Sequence, residues 1–230
     1  DREAENILKQ TLFFDLKIEE KIKALIEEKE VAEEALLDAV QQLLDLDSVG
    51  KAAFRNIYDV ATRCEANDNA DLAREIYRRI GERFKSHSDK QLAETIAQVL
   101  ARGETRTTLV GKPYELTGVT IEGNDIDWKQ YKGKVVLVDF WATWCGPCRS
   151  EVPNILKNYR AYHDQGFDVL GISLDDTREA AESYVKQMSI PWPTVFSEKP
   201  GESGWRAPMA RKYAINAIPR AILVNQEGIV

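Results

Sequence analysis

The stretch VVLVDFWATWCGPCR, residues 135–149, decides how the second half of the chain is read. Val135 to Val138 form a continuous apolar run, which suits a strand covered on both faces, as a central strand of an α/β sheet would be. Cys145 and Cys148 stand just beyond it, separated by Gly146 and Pro147, and a helical pattern begins near residue 149. In a strand-to-helix turn the first sulfur lies near unpaired helix N-terminal N–H groups, whose partial positive charge favours the thiolate. Spacing alone leaves three readings open: half a zinc site, a disulfide, or a redox pair. A structural zinc site needs two more ligands, and the remaining stock is Cys64, His87 and His163 with no matching spacing. Neither a metal nor a cofactor is therefore expected.

Working outward, strand-like runs at Val135–Phe140, Phe167–Ile172, Thr194–Phe196 and Ala221–Val224 alternate with helical stretches at about 149–163, 177–188 and 204–214. Alternation of that kind means an α/β domain. Upstream the composition changes. Residues 1–103 contain no Pro and only Gly50, Gly81 and Gly103, whereas all eight Pro, all five Trp and the other ten Gly lie in 104–230. A domain boundary after Gly103 follows: an all-α bundle at 1–103 and the α/β domain at 104–230. The acidity belongs to the first, with 22 acidic and 16 basic residues up to Gly103 against 16 and 15 beyond it.

Within 1–103 nothing breaks a helix from about Ala4 to Leu46, where Ile18, Ile22, Leu25, Ala32, Leu36, Val40 and Leu43 recur at three- and four-residue steps. This is one long helix, or two with a break near Thr11–Lys17. Glu5/Lys9 and Glu19/Lys23 sit four apart with the acid first, as on a solvated face. A second helix follows Ser48, with Phe54, Ile57, Ala61 and Cys64 on one stripe. A third follows Asn69, with Leu72, Ile76, Ile80 and Phe84. The fourth opens at Ser88, which with Gln91 reads as a capping box, and turns Leu92, Ile96, Val99 and Leu100 inward. The 69–84 segment is faintly like a tetratricopeptide helix, but that architecture needs several stacked repeats. No catalytic constellation appears in 1–103, so this domain is expected to dock a protein partner, which the sequence leaves unknown. Cys64, on an apolar stripe, reads as a small buried hydrophobe.

Several function classes drop out. Hydrophobic residues at 43% and charged residues at 30% exclude a disordered chain. No run approaches the roughly 18 apolar residues of a spanning helix. A formal charge of −7 gives little reason to expect nucleic acid. Three cysteines are too few for a disulfide-stapled fold.

Val138-Asp-Phe-Trp-Ala-Thr-Trp-Cys-Gly-Pro-Cys148 resembles the active-site strand and turn of thioredoxins. Cys148-Arg-Ser-Glu-Val-Pro153 is similar to the C-x-x-E-x-P extension of the TlpA/ResA-type branch, and the lead-in Lys132-Gly-Lys134 and Ala217-Ile-Pro219 fit the same family. The resemblance covers roughly 112–230, and the helical domain looks like an addition to it. It implies a thioredoxin-like fold and thiol–disulfide exchange. Cys145 would be the exposed sulfur that attacks a substrate disulfide, and Cys148 would resolve the mixed disulfide. Asp139 matches the family's buried carboxylate, a proton acceptor for Cys148. Pro219 matches the cis-proline, with the Ile218 backbone pairing to substrate. Trp144, Gly146 and Pro147 would complete the substrate side while Trp141 packs beneath. Glu151 would tune the pair or stand as an exposed early-helix acid, and Pro153 would bend its helix. Ile190–Tyr213, with Trp192 and Trp205, corresponds to the branch's insertion and would shape partner choice.

There are three departures. Arg220 stands where Thr commonly follows the cis-proline, which would favour acidic partners. Gly171 replaces the lysine that neighbours the buried acid in minimal thioredoxins. The chain stops at Val230, where a final strand and helix are expected. The function implied is a thiol–disulfide oxidoreductase that reduces protein disulfides and is itself recharged by an upstream dithiol reductant. The alternatives are a thiol peroxidase and a redox-switched interaction module. The chain begins at Asp1 without a signal-like segment; family resemblance favours an extracytoplasmic location, periplasmic or membrane-anchored, with a cytoplasmic one as the alternative.

Overall fold

The computed structural model describes residues 17, 20–21, 31–46, 50–67 and 69–230. Apart from Lys17, Glu20 and Lys21, the stretch Ala4–Glu30 lies outside the described residues, with its expected break and its Glu5/Lys9 and Glu19/Lys23 pairs; so does Ser48. The chain divides into two compact units between Thr108 and Leu109.

The first unit packs α1 (Val31–Leu44), α2 (Lys51–Ala66), α3 (Ala70–Phe84) and α4 (Lys90–Thr107). Helix α1 buries Leu36, Ala39, Val40, Leu43 and Leu44; α2 buries Ile57, Val60, Ala61 and Cys64; α3 buries Leu72, Ile76, Ile80 and Phe84. These are the stripes that a 3.6-residue period aligns on one face. Asn69 caps α3, its Oδ1 accepting the Leu72 N–H at 3.3 Å. The cap of α4 is Asp89, not Ser88: its Oδ1 accepts the Leu92 N–H at 3.0 Å. A cap oxygen must reach an N–H two or three residues on, and from Ser88 that amide is four away.

Helix α4 also departs from its expected stripe. Only Ile96 among its apolar side chains is fully buried, while Leu92, Val99 and Leu100 are half-buried. Its lower inner face is polar. The buried Arg106 guanidinium donates to both Glu65 carboxylate oxygens at 2.9 and 3.0 Å, and the Tyr77 hydroxyl donates to Glu65 at 2.7 Å. Gly103 does not end the helix, which runs on to Thr107. The glycine admits the Tyr77 ring, since a Cβ there would stand 2.5 Å from a ring carbon. The compositional break at Gly103 thus precedes the structural division by five residues.

In the second unit β1 (Val135–Trp141) leads into α5 (Gly146–Tyr162), then β2 (Phe167–Ser173), α6 (Arg178–Met188), β3 (Thr194–Val195), α7 (Pro208–Lys212) and β4 (Arg220–Val224). The sheet order is β3-β2-β1-β4, with β1, β2 and β3 parallel and β4 antiparallel to β1. Strand β1 is therefore central. Val136, Val138 and Phe140 are fully buried, while Val135 and Leu137 are half-buried. β3 stops one residue early because the Phe196 N–H turns to the Val119 carbonyl at 3.0 Å. The helical stretch expected at 204–214 splits into a 3₁₀ turn, Gly204–Arg206, and the short α7. Pro208 lacks the N–H that would carry one helix through, and fits the first turn of a new one.

Candidate active site

Strand β1 ends at Trp141, and four residues later the chain enters α5 at Cys145, the N-cap of that helix. The Cys145 Sγ accepts the Cys148 N–H at 3.2 Å. The first sulfur thus occupies the position where a helix offers an orphan donor and the positive end of its dipole. The two sulfurs form a disulfide, with Cα atoms 5.3 Å apart. Pro147 stands in the first turn of α5, where a missing N–H costs nothing, whereas Pro153 lies inside the helix and leaves the Arg149 carbonyl without its usual donor.

Cys145 is expected to be exposed. The structure corrects this: it is 5% exposed and Cys148 4%. In the disulfide form the Cys145 sulfur is turned inward, onto Cys148, and both residues join the apolar cluster of Trp141, Ala142, Met209 and Ile215. Trp141 is buried in that cluster, while Trp144 is 54% exposed. Gly146 is half-buried and Pro147 exposed.

The Ile218–Pro219 peptide is cis. Ile218 is half-buried and packs against the cluster that holds the two cysteines. Arg220 is exposed at the start of β4, opposite Phe140 of β1. Asp139 sits on β1 between Gly171 of β2 and Ala221 of β4, and is buried. Burial, and secondarily the charge of Glu151, pushes its carboxyl up to about 7. Glu151 itself is exposed on α5, so it is a surface acid that still reaches Asp139 electrostatically. At Gly171 a Cβ would stand 2.9 Å from Thr194 Oγ1 and 3.0 Å from Trp141 Nε1. The space beside Asp139 is filled by those two groups, leaving no room for a lysine.

Two features were not legible beforehand. Asp175, 1% exposed, accepts the Thr143 N–H at 2.9 Å, the Thr143 hydroxyl at 2.6 Å and the Ser173 hydroxyl at 2.8 Å. A buried carboxylate thereby pins the turn that presents Trp144 and Cys145; in sequence nothing separates Asp175 from its exposed neighbour Asp176. Trp205 is 45% exposed, and its ring lies 6.1 Å from that of Trp144. Trp192, expected beside it in shaping partner choice, is instead buried with Val152, Ile155, Leu156 and Val169. Among the described residues no group of three or more His, Cys, Asp or Glu side chains gathers where a metal could be held. Cys64 is buried in the helical unit, and that burial pushes its thiol up to about 11.

A family model described as Redoxin matches residues 101–230, more than half of the chain. The chain belongs to the Redoxin family. Among curated relatives, the thiol-disulfide oxidoreductase ResA of Bacillus thuringiensis subsp. konkukian is 32% identical over 110 residues, which is 48% of this chain and 60% of that protein. ResA of Bacillus subtilis is 27% identical over 108 residues, 47% of this chain and 56% of that protein. The match thus spans about 60% of the length of these relatives. Among solved structures, the thioredoxin domain of a thiol-disulfide oxidoreductase from Bacteroides vulgatus is 34% identical, covering 52% of this chain and 84% of that one at a TM-score of 0.47. This Redoxin member is a thioredoxin-like protein of the TlpA/ResA type, with an N-terminal helical unit.

Proposed function

We propose that this Redoxin-family chain is a thiol–disulfide oxidoreductase that reduces disulfides in proteins. The observation that carries the reading is the placement of Cys145 at the N-cap of α5, its sulfur accepting the Cys148 N–H and bonded to the Cys148 sulfur. A sulfur held there is favoured as thiolate, the form that attacks a disulfide. In the reduced protein the Cys145 thiolate attacks one sulfur of the substrate. A mixed disulfide forms and the other substrate sulfur leaves as thiolate. Asp139, whose pKa near neutrality suits a general base, takes the Cys148 proton. Cys148 then attacks Cys145 Sγ, closing the 145–148 disulfide and expelling the second substrate thiolate. Two electrons pass to the substrate, and an upstream dithiol returns them.

Trp144, Gly146, Pro147, Ile218, Pro219 and Arg220 form the substrate side of this reading, with Glu151 acting on the site through Asp139. Family resemblance supports an extracytoplasmic location, and the helical unit would dock a protein partner. Among the described residues no helix is long and apolar enough to cross a membrane. The test is trapping with Cys148→Ser: covalent adducts should accumulate on Cys145 and be released by excess dithiol, and the wild type should reduce insulin-type disulfides. Absence of both adducts and turnover, in a folded protein, would sink the proposal.

A further inference from the structure

Of the five tryptophans only Trp144 and Trp205 are exposed, at 54% and 45%. Their rings lie 6.1 Å apart, tilted by 51°. They come from different places in the chain: Trp144 immediately precedes Cys145, while Trp205 lies in the 3₁₀ turn Gly204–Arg206 between β3 and α7. Exposed indoles side by side are unusual on a surface that meets only water, and Trp is the side chain most enriched at the energetic centres of interfaces.

The pair is also held from beneath. The segment Leu174–Asp176 anchors both halves: Asp175 binds the Thr143 N–H and hydroxyl, one residue before Trp144. On the other side Gly204, buried and at φ +60°, lies so close that a Cβ there would stand 3.3 Å from Asp176 Oδ1 and 3.8 Å from the Leu174 carbonyl. The two backbones that carry the indoles therefore need little ordering when a partner arrives, which lowers the entropy cost of binding. Beyond Trp205 the wall is apolar in part, with Glu198, Lys199 and Glu202 lining it as well. Ala207, Pro208 and Met209, with Ile172, Val195 and Phe196, line a cavity of about 500 Å³. Ala207 and Met209 belong to the same cluster as the two cysteines.

We infer that Trp205 is a specificity-determining residue that forms, with Trp144, an aromatic lip selecting polypeptide disulfides flanked by an aromatic or long aliphatic side chain. This rests on the proposed oxidoreductase reading for its consequence, though the lip itself is a binding surface. Arg206, next to Trp205 in the same turn, is exposed and makes no side-chain hydrogen bond or ion pair among the described residues. A segment carrying a carboxylate therefore suits the same surface.

The test uses two peptides, each bearing one aspartate, with Phe or Gly beside the half-cystine. Each is made both as a disulfide and as a non-reducible thioether. In the wild type the Phe thioether should bind about tenfold more tightly than the Gly one, the scale of one well-placed indole contact. Trp205→Ala should bring that ratio to within about twofold, and Trp205→Phe should keep most of it. Turnover of the disulfide forms should show the same ratios in kcat/KM. Equal binding of the two thioethers by the wild type overturns the inference, as does an unchanged ratio in Trp205→Ala. A binding preference without any reduction of the disulfide forms leaves the lip standing and removes the oxidoreductase reading instead.

Discussion

Replacing Asp139 by Asn should make the α/β unit more stable above neutral pH and remove most of its pH dependence between pH 4 and 7. Burial lifts this carboxyl from 3.8 to about 7. The folded state therefore holds its proton over a range in which the unfolded chain has lost it. Stability that depends on this group is fully present below the unfolded pKa and is lost as pH rises through the folded one. Three units at 1.36 kcal/mol each set the size of that loss at about 4 kcal/mol. Asn keeps the shape and carries no charge at any pH, so the difference between variant and wild type should grow from near zero at pH 4 toward that value at pH 8.5. The assay is denaturant unfolding of the oxidised protein followed by intrinsic tryptophan fluorescence. All five Trp lie beyond Gly103, so this signal reports the α/β unit alone. Glu151→Gln removes the second, electrostatic contribution and should move the wild-type midpoint downward in pH. A wild-type stability that rises from pH 5 to 8, or a variant with the same pH slope as the wild type, would show that Asp139 is not held protonated by burial.

Two further predictions concern carboxylates outside the sequence motif. Asp175→Ala leaves the Thr143 N–H and two hydroxyls without their acceptor and should cost about 2–4 kcal/mol in the same fluorescence assay. Asp175→Asn, which keeps an acceptor toward Thr143, should lose less than half of that; equal losses would argue against the anchor. In the helical unit Arg106→Leu leaves the half-buried Glu65 beside Tyr77 without its cation and should cost about 2–4 kcal/mol, measured by helical circular dichroism. The double change Glu65→Leu/Arg106→Leu should recover most of it, because a well-packed apolar pair replaces a buried ion pair at little net cost.

What the sequence discloses and what it hides separate along physical lines. The stripes of α2 and α3 and the apolar run of β1 are legible because each element buries one face at its own period, whatever it packs against. The sequence points to Ser88 and the structure to Asp89 as the cap of α4, because both are good cap residues and only geometry chooses between them. Leu92, Val99 and Leu100 are less buried than expected, while Arg106 and Thr107 are buried at the far end of the same helix, a polar arrangement that periodicity cannot register.

By itself the sequence determined the two compositions, the α/β alternation and the position of Cys145 and Cys148 at a strand-to-helix turn, since these depend on residues adjacent in the chain. Tertiary structure alone decided that Cys145 is turned inward, that Trp205 rather than Trp192 meets Trp144, and that Asp175 holds the turn while Asp176 faces solvent. Each of these depends on groups 30 or more residues apart in the chain being brought together. Burial and hydrogen-bond partners are properties of that assembled neighbourhood, and no local pattern encodes them.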